Sequence, residues 1–333
     1  MKLPRDYKLV TGANGFIGSH LIDALIKKGT YVVAIDKHDS AQKNLENSSS
    51  NPLLNYFKCD VSKDIDLLEE LTKKSTYIYH LGAIVGVQNY LKNPLDMFES
   101  NIIGSYNLAK SALNSSIPIM FASTSEIYGK NPNVPWNENS DRLLGSTEKD
   151  RWSYSTGKAL IEHLLISLGK DQKFIYNIVR FFNVYGPRQK HIFVVSRAIS
   201  RALRDLPVEM FDGGEQTRSY IYISDAVEAM IAIQENKSTE KIFNIGNDKE
   251  ISVQELYAKI KSILTNMSIK DTSTKLSHGV GYEDLLRRVP DNSRLITNTQ
   301  WRPDISIESG IEKTIKWARE NKWWLELESD NKL

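Results

Sequence analysis

The sequence predicts an α/β protein in which a doubly wound parallel sheet is followed by a smaller mixed α/β lobe. Three observations lead to this prediction. Short apolar runs suited to buried strands alternate with amphipathic helical segments up to about residue 180. A glycine-rich turn joins the first strand to the first helix. After Gly186-Pro187 the regular alternation gives way to shorter, mixed elements.

The elements of the first half are predicted in the order strand, helix, strand. Strands are predicted at 8–10, 31–35, 55–58, 77–80, 117–122 and 174–180, and helices at 16–28, 64–73, 95–114 and 152–168. Because neighbouring parallel strands need long crossover connections, this order predicts right-handed βαβ units.

The second half is predicted to mix both element types. Helices are predicted near 192–204, 252–264 and 307–320, and strands at 208–211, 220–222 and 242–245. We therefore expect a nucleotide-binding domain of residues 1–185 with about 215–246. The remaining residues, 186–214 and 247–333, are expected to form the substrate lobe.

Gly12, Gly15 and Gly18 stand between the first predicted strand and its helix. Glycines at this spacing permit a tight turn, a close backbone approach to phosphates and close packing of helix on strand, as in a Rossmann fold. The helix N-terminus offers free N–H groups to a pyrophosphate. The predicted cofactor-binding turn therefore also includes Asn14, Phe16 and Ile17.

Asp36 ends the second predicted strand, Tyr31 to Ile35. An acid in this place binds both hydroxyls of an adenosine ribose and repels a 2′-phosphate. The sequence therefore predicts NAD as the cofactor in preference to NADP.

Composition excludes several classes of protein. The 333 residues carry a net charge of +2 and no basic block, which argues against a nucleic-acid partner. No apolar run approaches the ~20 residues that span a membrane, and the N-terminus lacks the apolar core of a signal peptide. The single cysteine, Cys59, suits a reducing compartment. We expect a cytoplasmic protein.

Two groups of polar residues predict chemistry. Thr124, Ser125 and Glu126 follow a predicted parallel strand, at the sheet edge where α/β enzymes bind their ligands. Tyr154 and Lys158 lie four residues apart on a predicted helix and so share one face. A nearby ammonium lowers the pKa of a tyrosine from ~10 towards values useful for a base. Thr124 is placed to hydrogen-bond the same substrate hydroxyl.

These motifs together resemble an extended short-chain dehydrogenase/reductase of the NAD-dependent epimerase/dehydratase group, whose members act on nucleotide sugars. The resemblance runs from about residue 7 to 324. It rests on the glycine turn, the Ser-Thr-Ser-Glu-Ile-Tyr-Gly box at 123–129, the Tyr-xxx-Lys motif and three further segments: His80-Leu81-Gly82-Ala83, Glu99 to Gly104 around Asn101, and Arg180 to Arg188.

The resemblance also implies roles for residues that the pattern alone does not single out. Asp60 would bind the adenine amino group, and Lys158 would also contact the nicotinamide ribose. The further cofactor-binding residues would be Val61, Leu81, Gly82, Ala83 and Asn101. The substrate would be held by Asn183, Arg188, Arg218 and Arg288. A homodimer would form through helices 95–114 and 152–168.

Enzymes of this group share an oxidation at the sugar C4 and differ in the fate of the 4-keto sugar. That sugar is epimerised, dehydrated across C5 and C6, or decarboxylated at C6. Three features resemble UDP-glucuronate decarboxylases: Glu126 directly after Ser125, the segment 149–155, and the segment 281–290. The Ser-Glu pair also occurs in GDP-mannose 4,6-dehydratases. In the segment 281–290 the catalytic arginine would be Arg288. We therefore expect decarboxylation of a UDP-hexuronate.

Other interpretations remain open from the sequence. The tail 314–324 resembles hexose 4,6-dehydratases, and Gly86-Val87 departs from the decarboxylase pattern. A GDP-mannose-type dehydratase or a UDP-sugar 4-epimerase is therefore an alternative. Arg287 and Arg288 could serve only to neutralise charge. A non-catalytic NAD-binding sensor is a more distant possibility, against which the intact Thr124, Tyr154 and Lys158 argue.

Overall fold

A computed structural model describes residues 3, 6–39, 43–85, 93–171, 174–236, 241–273 and 285–327. The chain divides into two compact units. The first comprises Met1–Ile127, Asp150–Arg180 and Met230–Phe243, and the second comprises Tyr128–Lys149, Phe181–Ala229 and Asn244–Leu333. Four segments expected in the nucleotide-binding domain thus group with the second unit: residues 128–149, 181–185, 215–229 and 244–246.

The strands, numbered in chain order, are β1 (Tyr7–Thr11), β2 (Val32–Asp36), β3 (Leu54–Lys58), β4 (Ser75–His80), β5 (Ile119–Thr124), β6 (Tyr176–Phe181), β7 (Val184–Tyr185), β8 (Val208–Phe211), β9 (Thr217–Ser219), β10 (Ile221–Tyr222), β11 (Ile242–Ile245), β12 (Glu250–Ser252), β13 (Ile269–Thr272) and β14 (Arg287–Arg288).

The α-helices are α1 (Phe16–Lys27), α2 (Ile65–Lys73), α3 (Pro94–Phe98), α4 (Gly104–Asn114), α5 (Arg151–Asp171), α6 (Val194–Leu203), α7 (Ile223–Glu235), α8 (Val253–Ile263), α9 (Ser293–Thr299), α10 (Ile307–Glu320) and α11 (Lys322–Leu325). A π-helical turn, Glu99–Ile103, joins α3 to α4. Within the described part of the chain, no helix has the length and apolar character needed to cross a bilayer.

The first unit is built on a seven-stranded sheet in the order β11-β6-β5-β4-β1-β2-β3. The pairs β1–β2, β2–β3, β1–β4 and β4–β5 are parallel. This confirms the predicted doubly wound sheet. The strand order reverses between β1 and β4, which is where such sheets bind ligands, outside the carboxyl ends of their strands.

The core of the first unit is formed by the apolar residues that marked its strands in the sequence. Five residues from five different strands are fully buried: Leu9, Val33, Ile78, Phe121 and Ile178. Their burial, at roughly 1.5–3 kcal/mol for each large apolar side chain, holds the strand ends in place.

Among the residues that the structure describes, the second unit contains three small sheets. Their strand orders are β10-β7, β12-β9-β14 and β13-β8. In the three-stranded sheet, β14 runs parallel to β9, whereas β12 is antiparallel to it. This mixed architecture agrees with the predicted lobe, although strands β7, β9, β12, β13 and β14 and helices α7, α9 and α11 were not predicted individually.

The predicted helix 95–114 is interrupted. Its middle residues form the π turn, in which Asn101 is buried. The amide Oδ1 of Asn101 accepts from the Ile84 N–H at 2.7 Å, and its Nδ2 donates to the Ile84 carbonyl at 2.9 Å. A π turn inserts one extra residue into a helix and re-aims a side chain. Here the re-aimed side chain is that of Asn101, which holds the backbone of Ile84 in the segment after β4.

Candidate active site

The glycine turn after β1 requires glycine for steric reasons. Gly12 has φ +69°, and a Cβ there would lie 2.7 Å from the Gly82 nitrogen. A Cβ at Gly15 would lie 2.9 Å from the Gly12 carbonyl oxygen, and one at Gly18 would overlap that same oxygen. The Gly15 N–H donates to this oxygen at 3.0 Å. The three glycines therefore form one compact turn.

The N-terminus of α1 suits a bound anion. Phe16, Ile17 and Gly18 are its first residues, and within the described chain it has neither a capping side chain nor an acid in its first turn. The first N–H groups of a helix lack intrahelical acceptors and lie at the positive end of its dipole. The residues present therefore fit a dinucleotide pyrophosphate.

Asp36 is fixed beside this turn. Its Oδ2 accepts from the Asn14 N–H at 3.0 Å, which ties the end of β2 to the residue between the glycines. The Asn14 side chain donates to the Tyr56 hydroxyl at 2.8 Å, and that hydroxyl donates to the His38 carbonyl at 2.8 Å. Burial and the Asp36 charge raise the pKa of Tyr56 to about 12, so its hydroxyl keeps its proton. Sequence reasoning missed Tyr56.

Asp60 lies after β3 and organises the local loop. Its Oδ1 accepts from the Ser62 N–H at 2.9 Å and from the Ser62 hydroxyl at 2.6 Å. Its neighbour Val61 is buried and lies against the helical residue Gly104, where a Cβ would come within 2.6 Å of the valine. The roles of Asp60 and Val61 towards adenine stay predictions.

A buried polar chain secures the ends of β1 and β4. The Gly82 N–H donates to the Thr11 hydroxyl oxygen at 3.0 Å, and Thr11 Oγ1 lies 2.7 Å from His80 Nδ1. His80 Nε2 lies 2.9 Å from the Ser105 hydroxyl, which donates to the Asn101 carbonyl at 2.7 Å. Since Ser105 gives its proton to Asn101, His80 must donate through Nε2 and accept through Nδ1.

Burial, aided by the Lys158 charge, lowers the pKa of His80 to about 3. The imidazole is therefore neutral at physiological pH, as the hydrogen-bond directions require. Through Gly82 and Asn101 this chain holds the residues Leu81, Gly82 and Ala83, which follow β4. Their predicted contact with the cofactor stays a prediction.

Tyr154 and Lys158 lie on α5, as predicted. Lys158 is buried, and its Nζ donates to the Ala122 carbonyl at 2.8 Å. The ammonium lies 4.6 Å from the Phe121 ring centroid and 5.9 Å from that of Tyr154. Burial lowers the pKa of Lys158 to about 7, and the Glu162 carboxylate opposes this shift. A cation so close to a phenol favours the phenolate.

Glu162 belongs to a buried ion pair that sequence reasoning missed. Arg180 donates to both of its carboxylate oxygens, at 3.1 and 2.6 Å, and the Ser123 hydroxyl donates to one of them. The signal available in the sequence was a glutamate four residues after Lys158, on the same helix face. The pair ties α5 to β5 and β6.

The three residues at the end of β5 differ in their surroundings. Thr124 Oγ1 accepts from the Glu126 N–H at 3.1 Å. The Ser125 hydroxyl is buried and, among the residues that the structure describes, hydrogen-bonds to none. The Glu126 carboxylate contacts the Arg151 guanidinium at 3.1 Å. Sequence reasoning did not assign Arg151 a role.

Two of the predicted substrate-binding arginines lie on neighbouring strands of the second unit. Arg288 on β14 is directly in register with Arg218 on β9. In-register residues of neighbouring strands point to the same face of a sheet. Arg288 donates to Asn183 Oδ1 at 2.5 Å, and the Asn183 amide donates to the Ser219 carbonyl at 2.9 Å. The structure therefore brings three of the four predicted residues together.

Arg287 and Arg288 are neighbours on β14 but have different hydrogen-bond partners. Arg287 donates to both oxygens of Glu250, at 2.8 and 2.7 Å, and so carries a compensated charge. Arg288 instead donates to a neutral amide, and Arg218 donates to the carbonyls of Thr217 and Leu286. Of the two, Arg288 is the one in register with Arg218.

The fourth predicted residue, Arg188, lies in the loop after β7. It has φ +69° and follows Gly186, which has φ +147°. Gln189 braces the loop through two hydrogen bonds. Its side-chain amide donates to the Val184 carbonyl at 2.6 Å, and its backbone carbonyl accepts from the Trp324 indole at 2.8 Å. Two features considered in the sequence, Gly86-Val87 and residues 281–284, lie outside the described residues.

Comparisons with known proteins identify relatives of this chain. Residues 8–246 match the NAD dependent epimerase/dehydratase family. The chain is 37% identical over 319 residues to the UDP-N-acetyl-alpha-D-glucosaminuronate decarboxylase of Bacillus cytotoxicus, covering 94% of this chain and 97% of that protein. It is 30% identical over 348 aligned positions to UDP-D-apiose/UDP-D-xylose synthase 1 of Arabidopsis thaliana, covering 92% and 89%.

A solved structure supports the same relationship. The chain is similar to UDP-glucuronic acid 4-epimerase from Bacillus cereus, solved in complex with UDP-glucuronic acid and NAD. The TM-score is 0.85 at 26% identity, covering 94% of this chain and 99% of that one. The similarity to known proteins therefore extends over nearly the whole chain.

Proposed function

Since the chain belongs to the NAD-dependent epimerase/dehydratase family of nucleotide-sugar enzymes, we propose that it decarboxylates a UDP-hexuronate. The observation that carries this proposal is the register of Arg288 with Arg218. A hexuronate nucleotide has two anionic groups, the diphosphate and the C6 carboxylate. Two neighbouring guanidinium groups match both, because guanidinium binds phosphate and carboxylate oxygens in a bidentate manner.

The relatives support the same choice of substrate. The Bacillus cytotoxicus protein is named as a decarboxylase of a UDP-linked uronate. The Bacillus cereus structure contains UDP-glucuronic acid. We propose Asn183, Arg188 and Arg218 as ligands of the diphosphate, and Arg288 as the ligand of the sugar carboxylate.

The cofactor is NAD, which supplies a reversible hydride acceptor for the sugar C4. We propose that the turn from Gly12 to Gly18 holds its pyrophosphate and that Asp36 holds its adenosine ribose. Asn101 acts through the Ile84 backbone. The other proposed cofactor residues, on the strand ends, are Asp60, Val61, Leu81, Gly82 and Ala83.

The chemistry assigned to the first unit begins at Tyr154. Its phenolate takes the proton of the C4 hydroxyl while the C4 hydride leaves, and the Lys158 ammonium stabilises the phenolate. Thr124 hydrogen-bonds the same oxygen. The resulting ketone is β to the C6 carboxylate, so it accepts the electron pair when the C5–C6 bond breaks and carbon dioxide leaves. C5 then takes a proton from solvent, the hydride returns to C4, and Tyr154 returns its proton to the C4 oxygen.

The mass of the product tests this proposal. Purified protein is incubated separately with UDP-glucuronate, UDP-N-acetylglucosaminuronate, UDP-glucose and GDP-mannose, and the products are separated by chromatography and identified by mass spectrometry. We expect loss of carbon dioxide from a uronate. The proposal fails if a uronate returns at unchanged mass as its epimer, or if only a neutral sugar reacts, with loss of water. Boiled enzyme controls for spontaneous decarboxylation.

We further propose that the chain forms a homodimer through the helices of the first unit. Large apolar side chains are exposed there: Leu95 (77%), Phe98 (51%), Ile103 (48%), Tyr106 (47%) and Leu160 (54%). Exposed apolar residues grouped on adjoining helices are typical of an association surface rather than of a solvated one. The family resemblance assigns the partner as a second copy.

We expect the substitution Leu160→Glu to convert the dimer to monomer. A charge buried without a partner costs several kcal/mol, which weakens association by at least about a hundredfold. Light scattering across a concentration series measures this change. Ile175→Glu is the matched control, because Ile175 is 59% exposed but lies outside these helices. A wild-type monomer at all concentrations would refute the proposed dimer.

We also propose that the protein is cytoplasmic. Its one cysteine, Cys59, is buried, and burial raises the pKa of its thiol to about 12. A buried, protonated thiol needs no oxidising compartment.

A further inference from the structure

The Glu126–Arg151 pair joins the two segments that carry the proposed chemistry. Glu126 lies two residues beyond Thr124, at the end of β5. Arg151 is the first residue of α5, three residues before Tyr154 and so on a neighbouring part of the same helix face. One guanidinium nitrogen of Arg151 lies 3.3 and 3.1 Å from the two Glu126 carboxylate oxygens.

This arginine stands where helix electrostatics disfavour a cation. The first turn of a helix is the positive end of its dipole, and within the described chain that of α5 has no acid. The Arg151 side chain is also only 9% exposed, and that of Glu126 only 20%. Desolvation of two charges offsets much of their attraction, so such a pair is a poor source of stability. A cation at a helix N-terminus, held in a nearly buried ion pair, is unfavourable for stability, and such unfavourable arrangements are typical of functional sites.

We propose that Arg151 is a positioning residue, which keeps the Glu126 carboxylate ionised and aimed beside Thr124 and Tyr154 during turnover. A neighbouring guanidinium favours the charged form of a carboxyl group. An ionised Glu126 can accept a proton or a hydrogen bond from the sugar but cannot donate one. The identity of the sugar in this proposal rests on the proposed function, whereas the role of the Glu126–Arg151 pair does not.

The effect of Arg151 on the ionisation of Glu126 makes a kinetic prediction. In Arg151→Met we expect kcat to fall about tenfold, with KM little changed, and the acid limb of the kcat–pH profile to move about one pH unit upward. The limb moves upward because Glu126, without its cation, holds its proton to higher pH. Arg151→Lys keeps the positive charge, so the acid limb of its kcat–pH profile should lie close to that of the unsubstituted protein.

A double-mutant cycle separates positioning from a general loss of stability. In the Glu126→Gln background, Arg151→Met should have little further effect on kcat, because the group it serves no longer ionises. The matched control is Arg294→Met, which removes an ion pair to the buried Glu138 in the second unit. That variant should lower Tm without moving the acid limb.

The assay uses whichever nucleotide sugar is turned over in the product screen, so that product mass and the role of Arg151 are judged separately. Loss of water or an unchanged mass would overturn the decarboxylation and leave the positioning role standing. An unmoved acid limb in Arg151→Met, or the same tenfold loss in the Glu126→Gln background, would overturn the positioning role whatever the product.

Discussion

Replacement of Tyr154 by phenylalanine is expected to lower kcat by about 10²–10⁴-fold, the usual contribution of a general acid–base group. The substitution removes only the hydroxyl that is proposed to take and return the C4 proton. Lys158 keeps its bond to the Ala122 carbonyl, and the glycine turn is untouched. NAD affinity should therefore remain within a few-fold of that of the unsubstituted protein. Turnover is measured by product mass and NAD affinity by calorimetry.

Tyr31→Phe is the matched control for this substitution. Tyr31 is 41% exposed and directly precedes β2, so loss of its hydroxyl should change neither quantity. Unchanged turnover in Tyr154→Phe would contradict the catalytic assignment. Loss of both turnover and NAD binding would instead indicate a structural role for the phenol.

Gly18→Ala is expected to weaken NAD binding about a hundredfold, or ~2.7 kcal/mol. The added methyl would overlap the Gly12 carbonyl oxygen, which is backbone and cannot swing aside. Either the turn or α1 must move, and overpacking of this kind typically costs about 1–3 kcal/mol. The free energy of unfolding should fall by a similar amount. Calorimetric titration of NAD and denaturant unfolding measure the two effects.

Gly157→Ala makes the same chemical change without the clash. Gly157 is also helical, but a Cβ there would lie 3.5 Å from the Ile102 side chain, which is ordinary contact. Since alanine favours helix over glycine by roughly 0.5–1 kcal/mol, this variant should be as stable as the parent or more so. Equal NAD affinity in Gly18→Ala and Gly157→Ala would show that the turn tolerates a side chain.

Much of the first unit could be predicted from the sequence. The strands at 31–35 and 55–58 and the helices at 16–28 and 64–73 agree with the structure to within a residue. These segments are strongly periodic and are bounded by glycines, caps or charges, so local patterns specify them. The glycine turn was predictable for the same reason, because its spacing is a local steric requirement.

The second unit was less predictable, because its elements depend on partners distant in the chain. Strand β14 has two residues and pairs with β9 some seventy positions earlier, at the register Arg288 to Arg218. No local pattern specifies so short a strand. The interruption of the predicted helix 95–114 likewise depends on Asn101 and its bonds to Ile84.

The sequence by itself determined the class of fold, the glycine turn after the first strand and the Tyr154–Lys158 pair, since each depends on residues close together in the chain. The tertiary structure decided the pairings between distant residues: Glu126 with Arg151, Glu162 with Arg180, and Arg288 with Arg218 and Asn183. Charges interact through distance in space and through burial, and neither is encoded in local spacing. For that reason the sequence indicated which residues are chemically capable, whereas the structure showed which of them act on one another.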